Sequence, residues 1–204
     1  PGDEIICPAV TYWASCTGAL GLGATVVFCD IDLETLQMDP ASLEARITPR
    51  TKAIMVVHYM AYPSPMDEIM EIAKKHGLKV VYDAAHAFGV RYKNESILNY
   101  GDAATLSFHA TKLFHTVEGG AVVLHDAEAD KKLRLLRSFG HVGDEHFSLG
   151  MNAKMSELHA AMGMAVLPYV AGLIEARRAI CERYDAALDG RVEHPAIPAG
   201  TTYN

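Results

Sequence analysis

Two side chains pose the chemical question. Asp83 follows the apolar run Val80-Val81-Tyr82 and precedes Ala84-Ala85, and Lys112 stands in Ser107-Phe108-His109-Ala110-Thr111-Lys112-Leu113-Phe114. A carboxylate at the end of an apolar run is partly withdrawn from water and needs a cation or hydrogen-bond donors. A lysine set among Phe, Leu and Phe is open to desolvation, which favours the neutral amine that Schiff-base chemistry requires. Each also has a plainer reading: Asp83 as the N-cap of a helix starting at Ala84, Lys112 as a solvated loop lysine. Spacing alone favours both plainer readings. His109 and His115 flank the lysine without a third ligand or acidic partner at a metal-binding spacing, so no metal site is expected. Glu118-Gly119-Gly120 reads as a turn that lets the backbone pass close to a neighbour.

Whether acid and lysine meet depends on the elements that carry them. Apolar, largely β-branched runs predict strands at 4–7, 25–29, 53–58, 78–82, 103–108 and 121–124. Helices are predicted over 14–22, ended by Gly23, and over 66–76, with Lys74-Lys75 near its end and Gly77 as its stop. From 152 to 189 the pattern is long and helical, with Pro168 as a kink or break. The stretch 194–200 reads as a linker. Apolar strands separated by helices predict an α/β fold whose mostly parallel sheet is covered on both faces. In such sheets ligands sit beyond the carboxyl ends of the strands. Asp83 and Lys112 both fall there, and an acid and a lysine at one sheet edge suit pyridoxal phosphate. The acid keeps the pyridine nitrogen protonated and the lysine holds the aldehyde.

Composition narrows the class. The chain has 204 residues and a net charge of −7, which argues against nucleic acid as a partner. Charged residues are 21% of the chain, close to globular usage, so wholesale disorder is not expected. Cys7, Cys16, Cys29 and Cys181 form no C-x-x-C pair and read as reduced thiols of a cytoplasmic protein. No apolar run approaches the roughly 20 residues of a membrane span and no signal peptide opens the chain, so no membrane is expected. The chain starts Pro1-Gly2-Asp3-Glu4 with no initiator Met, which suggests a fragment.

The segments PGDEIICPAVTYWAS, GATVVFCDID, ITPRTKAIMVVH, YDAAHAFGV, GDAATLSFHATKLFHTVEGGAVV and LRSFGHVG followed by MNAKMSELHAAMG run in an order similar to one family. Together they resemble the DegT–DnrJ–StrS group of pyridoxal-phosphate-dependent sugar aminotransferases. The resemblance implies the three-layer α-β-α large domain of fold type I over 1–190, incomplete at its N-terminus, with 191–204 as the start of a smaller domain. It makes Lys112 the Schiff-base lysine and Asp83 the acid facing the pyridine nitrogen. Tyr12 becomes the ring over the cofactor and Ser107 a phosphate ligand. His86 stands near the phenolic oxygen, where many members carry Gln. Asn152 reaches the phosphate of a neighbouring subunit, which implies a homodimer with shared active sites. Plain alternatives are core packing for Tyr12 and Trp13, a strand-end role for Ser107 and a helix N-cap for Asn152.

The implied reaction moves an amino group from glutamate or glutamine to a keto-sugar, typically nucleotide-linked, in cell-surface polysaccharide or secondary-metabolite synthesis. The alternatives are an inactive or regulatory homologue that binds the cofactor or a sugar, and a dehydratase, the branch in which histidine replaces the lysine. Two departures stand out: Ala61 in His58-Tyr59-Met60-Ala61-Tyr62-Pro63, where the pattern H-x-x-G-x-P has glycine, and Lys154 where many members carry Arg. A dinucleotide-binding domain is disfavoured, because Gly18, Gly21 and Gly23 fall at the end of a predicted helix instead of its start.

Overall fold

The computed structural model describes residues 1–202. In chain order the elements are β1 (Glu4–Pro8), α1 (Ala14–Gly21), β2 (Thr25–Cys29), α2 (Pro40–Ala45), β3 (Thr51–Val57), α3 (Met66–His76) and β4 (Lys79–Asp83). A small hairpin, β5 (Arg91–Tyr92) and β6 (Glu95–Ser96), precedes β7 (Ala103–Ser107), β8 (Gly120–Leu124) and α4 (Ala127–Leu136). A second hairpin, β9 (His141–Val142) and β10 (Glu145–His146), leads to α5 (Glu157–Val166), α6 (Val170–Leu188) and β11 (Thr201–Thr202).

Six strands form the central sheet in the order β2, β1, β3, β4, β7, β8. The first five run parallel, and β8 pairs antiparallel to β7. The reason lies in the connections: a parallel return needs a crossover element, and the loop between β7 and β8 holds no helix. Ile6, Ile54, Val56, Val80 and Tyr82 are fully buried at the centre of the sheet. Each such side chain contributes about 1.5–3 kcal/mol of burial. Helix α3 forms as its sequence dictates: Asp67 and Glu68 in the first turn, Lys74, Lys75 and His76 in the last, and Gly77 at φ 65° as the left-handed stop.

The long helical stretch is interrupted as expected, by a 3-10 turn at Leu167–Tyr169 that contains Pro168. One sequence expectation needs correction here. Glu157–Leu188 contains an 18-residue window of mean hydropathy 1.4, long and apolar enough by length and composition to cross a membrane, with 11% of it buried. Residues 191–202 lie against the main body: Ala196 N–H donates to the Glu34 carbonyl, and β11 pairs with β5. Residues 203 and 204, the last two of the expected small-domain segment, lie outside the described residues.

Candidate active site

Register brings the chemistry together. Val57 pairs with Asp83 and Asp83 with Thr105, so β3, β4 and β7 end at nearly one level, with Ser107 two residues further on. Beyond those carboxyl ends opens a cavity of about 690 Å³. Tyr12, Asp83, His86, Ser107, His109 and Lys112 line it. Five of the six residues named from the sequence therefore share one cavity; Asn152 does not line it.

Asp83 ends β4, and turns follow it, so the helix cap favoured by spacing is absent. Its carboxylate is held from two sides instead. Ser15 Oγ donates to Oδ2 at 2.6 Å and Ala85 N–H donates to Oδ1 at 3.0 Å. An ionised carboxylate accepts about four hydrogen bonds, which leaves lone pairs for a ligand. Tyr12 and Trp13 are 70% and 66% exposed, so the core-packing alternative fails for both.

Lys112 sits in a loop that aromatic packing holds in place. Leu113 and Phe114 are buried, and Phe114 stacks on Phe88 at 4.6 Å while meeting Phe108 edge-on at 4.9 Å. Val170 and Ile174 of α6 complete this cluster. With its two neighbours committed inward, half-buried Lys112 is left to line the cavity. Around the same loop the backbone passes close, as the two glycines predicted. A Cβ on Gly119 would lie 2.4 Å from Thr116 Oγ1, and one on Gly120 would lie 2.7 Å from the Leu106 carbonyl oxygen. Val117, between them and the lysine, is held at φ 68°, an unfavourable conformation for a β-branched residue.

His86 lines the cavity and keeps solvent exposure. Partial desolvation, then the Lys112 charge, hold its imidazole below the usual range, with Asp83 opposing them. Ser107 Oγ accepts from the His109 N–H at 3.3 Å, and its own hydroxyl proton has no partner fixed by that contact. Asn152 is exposed; its side-chain oxygen accepts from Lys154 Nζ at 2.7 Å. It does not cap α5, because Ser156 takes that position and accepts from the His159 N–H.

Three further cavity residues, Thr11, Tyr59 and His58, carry no role assigned from the sequence. His58 is the most constrained. Its Nδ1 accepts from the Ser64 N–H at 3.1 Å, which puts the proton on Nε2. The ring stacks on Tyr82 at 4.8 Å, and burial pushes its pKa down to about 3. Neither His58 Nε2 nor the Tyr82 hydroxyl has a hydrogen-bond partner among the described residues. The adjoining loop keeps a left-handed backbone despite its missing glycine, with Met60 at φ 54° and Ala61 at φ 67°.

This donor set fits pyridoxal phosphate. Lys112 offers an amine for the aldehyde, Asp83 a braced carboxylate for a ring N–H, and Ser107 a hydroxyl for phosphate oxygens. Tyr12 presents an exposed aromatic ring beside them.

Known proteins resemble this chain over nearly its whole length. The DegT/DnrJ/EryC1/StrS aminotransferase family matches residues 1–201. The GDP-perosamine synthase of Caulobacter vibrioides is 40% identical over 203 residues, covering 97% of this chain and 55% of that protein. Among solved structures, the aminotransferase TlmJ from Streptoalloteichus hindustanus superposes with a TM-score of 0.94 at 32% identity, over all of this chain and 57% of that one. Spr1654 from Streptococcus pneumoniae in its PLP-form gives 0.92 at 30% identity, over all of this chain and 58% of that one. The chain spans about half the length of the curated relatives it matches.

Proposed function

The chain belongs to the DegT/DnrJ/EryC1/StrS aminotransferase family, and on that premise we propose that it carries the cofactor site of a pyridoxal-phosphate-dependent sugar aminotransferase. The reaction moves an amino group from glutamate or glutamine to a nucleotide-linked keto-sugar, in polysaccharide or secondary-metabolite synthesis. The observation that carries this reading is the convergence of Lys112, Asp83, His86, Ser107 and Tyr12 on one cavity at the strand ends. In the same reading, residues 1–190 form the large domain and 191–204 lead into a smaller one. The free cysteines fit a cytoplasmic setting.

When bound, pyridoxal phosphate supplies an aldehyde that captures amines and a cationic ring that draws electron density from the reacting carbon. Lys112 Nζ would hold the group at its aldehyde carbon, with loss of water, and the same amine, when free, is the base placed to take a proton from one carbon and return it to the next. An Asp83 carboxylate oxygen would hold the proton on the ring nitrogen, while Ser15 Oγ and Ala85 N–H donate to the carboxylate itself. Ser107 Oγ donates to the phosphate and Tyr12 covers the ring face, excluding water there. His86, whose imidazole pKa partial desolvation and then the Lys112 charge hold below its usual range, would stand beside the phenolic oxygen. Asn152 serves the site of a second copy in a homodimer, which accounts for its exposure outside the cavity. The amine at position 112 separates this reading from the dehydratase branch, where histidine stands there.

Spectroscopy tests it. Loaded with pyridoxal phosphate, the protein is expected to lose its visible absorbance on addition of glutamate alone and to recover it with a nucleotide-linked keto-sugar. Absorbance that no amino donor changes contradicts a transaminase and favours an inactive binding homologue.

A further inference from the structure

Ser15 lies in the first turn of α1, is 6% exposed, and closes the segment PGDEIICPAVTYWAS without a role assigned to it from the sequence. Its Oγ reaches Asp83 Oδ2 at 2.6 Å across 68 positions of sequence. The same oxygen lies 2.7 Å from Thr11 Oγ1, a cavity-lining residue. Hydroxyl proton counting fixes the direction of this chain. An ionised carboxylate only accepts, so the single Ser15 proton goes to Asp83 and Ser15 must accept from Thr11. The competing acceptor for Thr11, the Tyr12 carbonyl, is further away at 3.3 Å. Ser15 also donates its backbone N–H to that Tyr12 carbonyl at 3.0 Å. One residue thus fastens both the carboxylate at the ring nitrogen's position and the backbone of the aromatic residue beside it.

We propose that Ser15 is a positioning residue for the cofactor ring, orienting the Asp83 carboxylate through a Thr11→Ser15→Asp83 hydrogen-bond chain. The proposal rests on the reading of Asp83 as partner of the pyridine nitrogen. A helical serine more often bonds nearby backbone; here the hydroxyl is spent on the carboxylate that ends β4 instead. Losing a hydrogen bond to a charged group is worth about a tenfold change in affinity.

The test is a double-mutant cycle read by pyridoxal phosphate affinity and by the pH dependence of the bound cofactor's visible absorbance. Ser15→Ala is expected to weaken binding about tenfold and to move the pH profile. Ser15→Thr, which keeps the hydroxyl, restores both. In an Asp83→Asn background, Ser15→Ala adds no further loss of affinity. A general folding defect would appear in both backgrounds, so equal losses overturn the proposal, as does an unchanged Ser15→Ala protein. The parental arm separates the two layers: a parent that takes up no pyridoxal phosphate overturns the cavity's reading and this proposal with it. A parent that binds normally beside a silent Ser15→Ala overturns the positioning role alone.

Discussion

Asp83 and Lys112 were legible because their chemistry is compressed into contiguous motifs at strand ends. Ser15 and His58 were not, because what defines them is a hydrogen bond or a ring stack formed only after the sheet is assembled. His58 makes a testable claim about pH. Its folded pKa is pushed down to about 3 by burial, against an unfolded value of 6.5. Below pH ~6.5 the unfolded chain binds a proton that the folded chain refuses, so stability falls with pH. The contribution is intact above that value and is lost between it and about pH 3, at about 1.4 kcal/mol per unit. Urea unfolding between pH 7 and 5 is expected to show this loss, and His58→Gln is expected to flatten it at the cost of lower stability at pH 7. An unchanged slope in that variant would count against a neutral, buried imidazole.

Among the elements, the parallel strands and α3 followed from apolar runs and helix-end charges, whereas α4 escaped notice. It buries no residue, so its sequence carries a cap at Asp126 but little apolar signal. The reversal of β8 was also readable in principle, since no helix was predicted between 108 and 121. What the sequence could not show is how tightly α5 presses on the lysine loop. A Cβ on Gly163 would lie 2.9 Å from Thr116 Cγ2 and 3.4 Å from Phe114 Cζ. Gly163→Val therefore forces the loop that carries Lys112 to move, at about 1–3 kcal/mol for overpacking. The expected outcome is a lower melting temperature together with weaker pyridoxal phosphate uptake. A Gly163→Val protein with parental values on both measures would show that this contact does not position the loop.

For the whole molecule, exposed apolar side chains flank Asn152 along the chain: Leu149 is 94%, Met151 66% and Leu158 84% exposed. Surfaces of this kind mark interaction sites, and a second copy seated there would bring Asn152 towards a neighbouring cavity. The double substitution Leu149→Glu with Leu158→Glu is expected to convert a dimer to a monomer in sedimentation equilibrium and to weaken cofactor binding with it. A parent that sediments as a monomer would contradict the shared site. The proposed function requires one covalent bond, from Lys112 Nζ to the cofactor. Borohydride reduction of the protein loaded with pyridoxal phosphate, followed by peptide mass spectrometry, is expected to place the pyridoxyl label on Lys112 and to find none in Lys112→Ala. Label on another lysine of the parent, such as Lys154, or retained after the substitution, would contradict it.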